Sequence, residues 1–226
     1  MDRFVSAIIV AAGNSTRMGL NKSKQFIELC GKTVIERTLT AFENAEIISS
    51  VVVVCRPDDE DEIRAIVKTC GFDKVKALVY GGESRDISVK NGVEACDSRT
   101  THFAIHDGAR PLIDEKDINA VVNEAFESDA AALGTLVTDT IKVVDDDGII
   151  VSTPVRSALR AVQTPQVFEK NLYLKALLEG SNKGITDDCQ LVESIGARVK
   201  IVIGSEKNIK LTTQNDIAIA EKFIGD

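Results

Sequence analysis

Val5-Ser6-Ala7-Ile8-Ile9-Val10 runs directly into Ala11-Ala12-Gly13-Asn14-Ser15-Thr16-Arg17-Met18-Gly19, and this junction decides the fold. An apolar, β-branched run bounded by a small-residue turn reads as a buried strand. Comparable runs recur at Val51 to Cys55, Ala77 to Tyr80, Phe103 to Ile105 and Ala131 to Leu136. Stretches with helical spacing lie between them, near Val34 to Phe42, Asp59 to Cys70, Arg85 to Ala95 and Asp114 to Glu127. A β-α-β-α alternation predicts an α/β fold, with a largely parallel sheet and helices on both faces. In such sheets ligands bind outside the carboxyl ends of the strands. Helices are further expected near Glu169 to Leu178, Asp187 to Ile195 and Gln214 to Ile224, with a strand at Val199 to Ile203. One segment breaks the alternation: Ile141 to Val144, a turn Asp145-Asp146-Asp147-Gly148, and Ile149 to Ser152 read as an inserted β-hairpin.

Composition narrows the function. The chain has 226 residues, 44% hydrophobic and 27% charged, enough to bury roughly 70% of its unfolded surface as one domain over the whole length. No apolar run reaches the ~18 residues of a membrane span. Met1-Asp2-Arg3-Phe4 lacks a signal-peptide layout, so a cytoplasmic location is the expectation. The five cysteines, Cys30, Cys55, Cys70, Cys96 and Cys189, form no C-x-x-C pair. With His102 and His106 alone to assist, spacing assembles neither a zinc site nor a redox motif, and reduced thiols are expected. The net charge of -8 and the lack of a basic stripe argue against a nucleic-acid surface. A small anionic substrate remains open, because a few local cations can outweigh the global sign at one pocket.

Four sequence features can carry chemistry. The turn after the first strand lets backbone N–H groups approach phosphates, with Arg17 as a planar cation and Lys22, Lys24 and Gln25 close behind. It matches neither G-x-G-x-x-G nor G-x-x-x-x-G-K, and an ordinary tight turn accounts for it equally well. Gly81-Gly82-Glu83-Ser84-Arg85 leads from a strand into a helix that Ser84 could cap. His106-Asp107-Gly108-Ala109-Arg110-Pro111 places a carboxylate at a strand exit. Asp107 could hold Mg²⁺ against a phosphate, or pair with Arg110 to fix the turn, while His106 reads as structural. The fourth feature is dispersed: Thr138 to Lys142, Arg156, Gln163-Thr164-Pro165-Gln166, Thr186-Asp187-Asp188 and Asn208-Ile209-Lys210. Pro165 marks a non-strand loop, and Thr186 before two acids reads as a helix N-cap.

The ordered set of these motifs, Ala-Ala-Gly-x-x-x-Arg-Met-Gly with Lys24-Gln25, Gly-Gly-x-x-Arg-x-x-Ser-Val, His-Asp-x-Ala-Arg-Pro, Asp-Thr-Ile-Lys, Gln-Thr-Pro-Gln-x-Phe, Thr-Asp-Asp and Asn-Ile-Lys, resembles the 2-C-methyl-D-erythritol 4-phosphate cytidylyltransferases of the non-mevalonate isoprenoid pathway. The resemblance implies a Rossmann-like, three-layer nucleotidyltransferase fold, CTP as substrate, Mg²⁺ or another divalent cation, and a homodimer. The hairpin, with its flanks at about residues 137–155, would be the dimerisation arm. By position, Ala11, Ala12, Gly13, Asn14 and Ser15 match the CTP-cradling segment, and Gly82, Glu83, Ser88 and Gly108 match further nucleotide contacts. Arg17, Lys24, Arg156 and Lys210 match the charge-stabilising catalytic set, and Asp107 the metal-side aspartate. Thr140, Arg156, Thr164, Thr186 and Lys210 match residues that handle the acceptor phosphate. Departures are Ser15 for Gly, Asn21-Lys22-Ser23 where Pro is usual before Lys24, Gly108 for Ala and Glu83 for Asp. A sugar phosphate attacking the α-phosphorus of CTP is already an anionic nucleophile, so cations rather than a Ser, Cys or His nucleophile are what the reaction requires. Ribitol 5-phosphate cytidylyltransferases share similar motifs, and a non-catalytic nucleotide-binding protein could share the fold.

Overall fold

Residues 3–13, 23–180 and 185–225 are described by the computed structural model. Along the chain, β1 (Val5–Val10) is followed by the short pair β2 (Glu28–Leu29) and β3 (Lys32–Thr33), then α1 (Val34–Asn44), β4 (Ser50–Cys55), α2 (Glu60–Cys70), β5 (Val75–Tyr80), α3 (Arg85–Glu94), β6 (His102–Asp107), α4 (Glu115–Ser128) and β7 (Ala130–Leu136). The hairpin strands β8 (Val143–Val144) and β9 (Ile150–Ser152) precede β10 (Arg160–Glu169), α5 (Lys170–Glu179), α6 (Asp188–Glu193), β11 (Lys200–Ile203) and α7 (Gln214–Gly225).

Seven strands form one sheet in the order β11-β7-β10-β6-β1-β4-β5. Every pairing is parallel except those of β10, which runs antiparallel to both β6 and β7. Strand side chains alternate faces, and β1 shows how this builds three layers. Ala7 and Ile9 pack with Leu39 and Phe42 of α1, Ile63 of α2 and Val121 of α4. Ile8, between them, packs with Val89 of α3, Tyr173 of α5 and Leu191 of α6 on the other face. Each fully buried Ile, Leu or Phe contributes about 1.5–3 kcal/mol over its exposed state. Polar caps set the helix starts: Thr33 Oγ1 accepts from Glu36 N at 3.2 Å, and Asp114 Oδ1 from Asp117 N at 2.8 Å.

Pro165 lies within a strand rather than the expected loop. β10 spans it because the pairing with β7 shifts register between Val162 and Gln166, so the residue without an N–H falls in a bulge. The inserted hairpin is present, closed by Asp145, whose N donates to Ile149 O at 3.0 Å and whose Oδ1 accepts from Asp147 N and Ile149 N. Its apolar side chains, Ile141, Val143, Val144, Ile149, Ile150 and Val151, are all exposed.

Candidate active site

Because β1, β4, β5 and β6 are mutually parallel, their carboxyl ends open on one side, where a cleft of about 610 Å³ lies. Ala12 and Gly13 line it from the β1 exit, Arg56 and Asp58 from the β4 exit, Gly82, Glu83, Arg85 and Ser88 beyond β5, and Asp107 at the end of β6. Lys24 and Lys210 complete the wall. The glycines are set by close approach. A Cβ on Gly81 would fall on the Ala12 side chain, and one on Gly82 on Ile87. Ser88 Oγ accepts from Gly82 N at 3.1 Å and donates to Ser84 O at 2.8 Å, pinning the glycine turn to α3. Ser84 occupies the N-cap position, yet its side chain makes no capping bond.

Asp107 is the electrostatic centre. Its Oδ2 lies 2.7 Å from Lys210 Nζ and 4.0 Å from Arg110 Nε, and its Oδ1 lies 3.4 Å from Arg85 Nε. Burial alone would raise this carboxyl, but Arg85 and Lys210 override it and hold Asp107 well below the usual carboxylate range. Lys210 reaches Asp107 because its segment is stitched to the loop after β6. Leu211 N donates to Ala109 O at 2.8 Å, and Arg110 Nη1 to Asn208 O at 2.7 Å. Lys24 Nζ donates to Leu211 O at 3.4 Å, joining the same cluster. His106 lies beneath, fully buried, with Nε2 3.2 Å from Arg110 O. A carbonyl only accepts, so Nε2 carries the proton and Nδ1 accepts from Thr164 Oγ1 at 3.1 Å. Thr164 Oγ1 in turn accepts from Asp107 N. Burial pushes His106 down to about 3, so the ring is neutral and serves as scaffold.

A second cavity, about 290 Å³, adjoins the first and shares Arg85, Asp107 and Lys210 with it, adding Arg110, Thr164, Thr186 and Asp187. Asp187, rather than the expected Thr186, is the N-cap of α6, accepting from Gln190 N at 2.9 Å. Thr186 sits one residue earlier, its N bonded to Gln190 Oε1. Lys24, Gly82, Glu83, Ser88, Asp107, Thr164, Thr186 and Lys210 thus gather around the two connected cavities. Ala11 and Gly108 are buried behind the cleft wall rather than lining it. Asn14, Ser15 and Arg17 lie outside the described residues. Thr140 and Arg156 line neither cavity; both are exposed at the base of the hairpin, where Arg156 Nη1 donates to Thr138 O at 2.8 Å. Arg85 was legible in its motif only as a helix-start residue; its partners come from distant segments.

Among the described residues no three His, Cys, Asp or Glu side chains cluster as metal ligands. Asp107 is nevertheless an ionised hard-oxygen donor facing the cleft. Mg²⁺ commonly takes one or two carboxylates and completes its shell with phosphates and water, so this donor fits a metal carried on a nucleotide, not a protein-built cage.

A family model described as IspD, 2-C-methyl-D-erythritol 4-phosphate cytidylyltransferase, matches residues 5–226. The chain belongs to this family. It is 43% identical to the 2-C-methyl-D-erythritol 4-phosphate cytidylyltransferase of Caldanaerobacter subterraneus subsp. tengcongensis over 97% of this chain and 98% of that protein. To the enzyme of the same name from Clostridioides difficile it is 41% identical, over 97% and 93%. The crystal structure of 4-diphosphocytidyl-2C-methyl-D-erythritol synthase from Anaerococcus prevotii superposes with a TM-score of 0.87 at 34% identity, covering 99% of this chain and 97% of that one. The Thermus thermophilus enzyme superposes with a TM-score of 0.77 at 29% identity, covering 99% and 100%. The seven-stranded, mostly parallel sheet with helices on both faces is the fold of these family members.

Proposed function

We infer that this chain, folded as one nucleotidyltransferase domain, transfers the cytidylyl group of CTP to 2-C-methyl-D-erythritol 4-phosphate, releasing pyrophosphate and forming 4-diphosphocytidyl-2-C-methyl-D-erythritol. The observation that carries the reading, beside family membership, is the convergence of Arg85, Arg110 and Lys210 on one carboxylate where two cavities meet, with Lys24 on the wall of the larger one. The larger cavity takes the nucleotide against the Gly81-Gly82 turn, and the smaller takes the acceptor phosphate near Thr186 and Lys210. An acceptor oxygen attacks the α-phosphorus and pyrophosphate departs. Positive charge from Lys210 at the junction and Lys24 in the larger cavity stabilises the phosphoryl charge that develops, a role the family motif also gives to Arg17. No protein nucleophile is needed. Cys55, the thiol lining the cleft, is pushed up to about 11 by burial and stays protonated. Asp107 would hold a divalent cation bound with the triphosphate; such an ion neutralises phosphate charge.

The hairpin supplies the quaternary reading. Isolated two-stranded hairpins are marginal in water, and its exposed apolar side chains fit burial against a second copy of the chain. A homodimer of this kind carries Thr140 and Arg156 to the partner's acceptor cavity. Five free cysteines fit the reducing cytoplasm, and no helix among the described residues is long and apolar enough to cross a membrane. Incubation with CTP, Mg²⁺ and either methylerythritol 4-phosphate or ribitol 5-phosphate, with pyrophosphate measured, tests the reading. Release with the first acceptor is expected; release with ribitol 5-phosphate alone would reassign the acceptor, and none with either would overturn the reading.

A further inference from the structure

Arg85 belongs to the walls of both cavities, and its guanidinium touches two carboxylates from different parts of the chain. Nε lies 3.4 Å from Asp107 Oδ1, while Nη1 donates to Asp188 Oδ2 at 2.7 Å. Asp188 is the first residue of α6, directly after Thr186 and Asp187 of the acceptor cavity. Its other oxygen accepts from Tyr173 OH at 2.6 Å. Tyr173 is fully buried, stacked on Phe168 of β10 with ring centroids 5.1 Å apart. A chain of contacts therefore runs from the core through Tyr173, Asp188 and Arg85 to Asp107.

Separately, α6 is fixed to β10 by Gln166, whose Nε2 donates to Asp187 Oδ2 at 2.9 Å and whose Oε1 accepts from Cys189 N at 3.1 Å. That clamp ties α6 to β10 beside β6, whereas Arg85 joins α6 to the Asp107 carboxylate itself. We propose that Arg85 is a positioning residue whose guanidinium bridges Asp107 and Asp188 and so registers the acceptor-binding start of α6 against the nucleotide cleft. The proposal rests on the cytidylyl-transfer reading. A planar fork can hold two carboxylates at once, whereas a lysine ammonium is a single point of charge. Misplacing reacting groups by about 1 Å costs on the order of 10²-fold in rate. Loss of the bridge therefore lowers turnover more than nucleotide affinity.

The test compares Arg85→Lys, Asp188→Asn and their double variant with the wild-type protein. Wild-type pyrophosphate release is measured first, so a failure of the cytidylyl-transfer reading shows there, before any variant is compared. CTP affinity is then taken by calorimetry without acceptor, and kcat with both substrates saturating. The expected result is a kcat fall of about 30-fold or more in each single variant, with the CTP Kd within about 3-fold. The double variant should be no slower than the worse single one, since both break one bridge. Wild-type kcat in Arg85→Lys, multiplicative losses in the double variant, or a CTP Kd that rises as much as kcat falls would each overturn the proposal. Tyr173→Phe removes one buried hydroxyl, keeps every charge and guards against a folding defect in the others. It should lower kcat by about 3–10-fold without weakening CTP, and an unchanged kcat would count against the bridge.

Discussion

Mixing two dead subunits tests whether the hairpin reaches a neighbour's active site. Lys24 lies at the chain's own cleft, whereas Arg156 is exposed at the hairpin base, bonded to Thr138 O and lining neither cavity. Both truncations should leave the fold standing, since Arg156 is exposed and Lys24 lies on the wall of the open cleft rather than in the apolar core. Each variant alone is expected to lose on the order of 10²-fold in kcat, the usual effect of removing one charge stabiliser. If the acceptor site joins Lys24 of one chain to Arg156 of the other, a Lys24→Ala/Arg156→Ala heterodimer has one site with both residues intact and one with neither. Random reassortment of equal amounts makes about half the dimers heterodimers, so the mixture should regain about a quarter of wild-type activity. The assay is pyrophosphate release after co-refolding, with differently tagged chains to isolate the heterodimer, which alone should show about half the wild-type rate. Heterodimers as inactive as their parents would refute the shared site and return Arg156 to its own chain.

Asp107→Asn should lower activity and raise the Mg²⁺ concentration for half-maximal rate, because an amide is a poorer ligand than a carboxylate; an unaltered Mg²⁺ titration would leave Asp107 as an anchor for Lys210 and Arg85. In Gly82→Ala the new methyl falls on Ile87, close to the backbone of α3. The turn must then move, raising the CTP KM by about 10-fold for about 1–3 kcal/mol of stability; steady-state kinetics and urea unfolding read the two effects, and a wild-type CTP KM would contradict the close-approach argument. His106 has its folded value lowered from 6.5 to about 3, so the neutral ring's contribution is complete above pH 6.5 and declines as pH falls toward 3. The unfolding free energy from urea titration should therefore drop between pH 7.5 and 5, by about 1.4 kcal/mol per pH unit once below pH 6.5, and His106→Gln should flatten that slope.

The local pattern of the chain determined the layers. β1 and β4 are apolar apart from Ser6 and Ser50, which bond each other, because both faces of a central parallel strand are covered, and period-2 packing through Ala7, Ile8 and Ile9 follows from strand geometry alone. The hairpin was equally legible, since Asp145 to Gly148 carries its own turn chemistry between two apolar runs. Strand exits therefore announced the cleft, with Gly81-Gly82 and Asp107 at its rim. β10 was hidden by Pro165, whose local preference against strand is overridden once a bulge between two neighbouring strands absorbs it. The cap of α6 passed from Thr186 to Asp187, because adjacent oxygen-bearing side chains compete for the same N–H groups and only the backbone path chooses between them. Arg85 could be placed at a helix start, but its bonds to Asp107 and Asp188 span 22 and 103 residues. Such pairings are made by the sheet order, which brings β6, α3 and α6 together, and no local sequence pattern encodes a partner that distant.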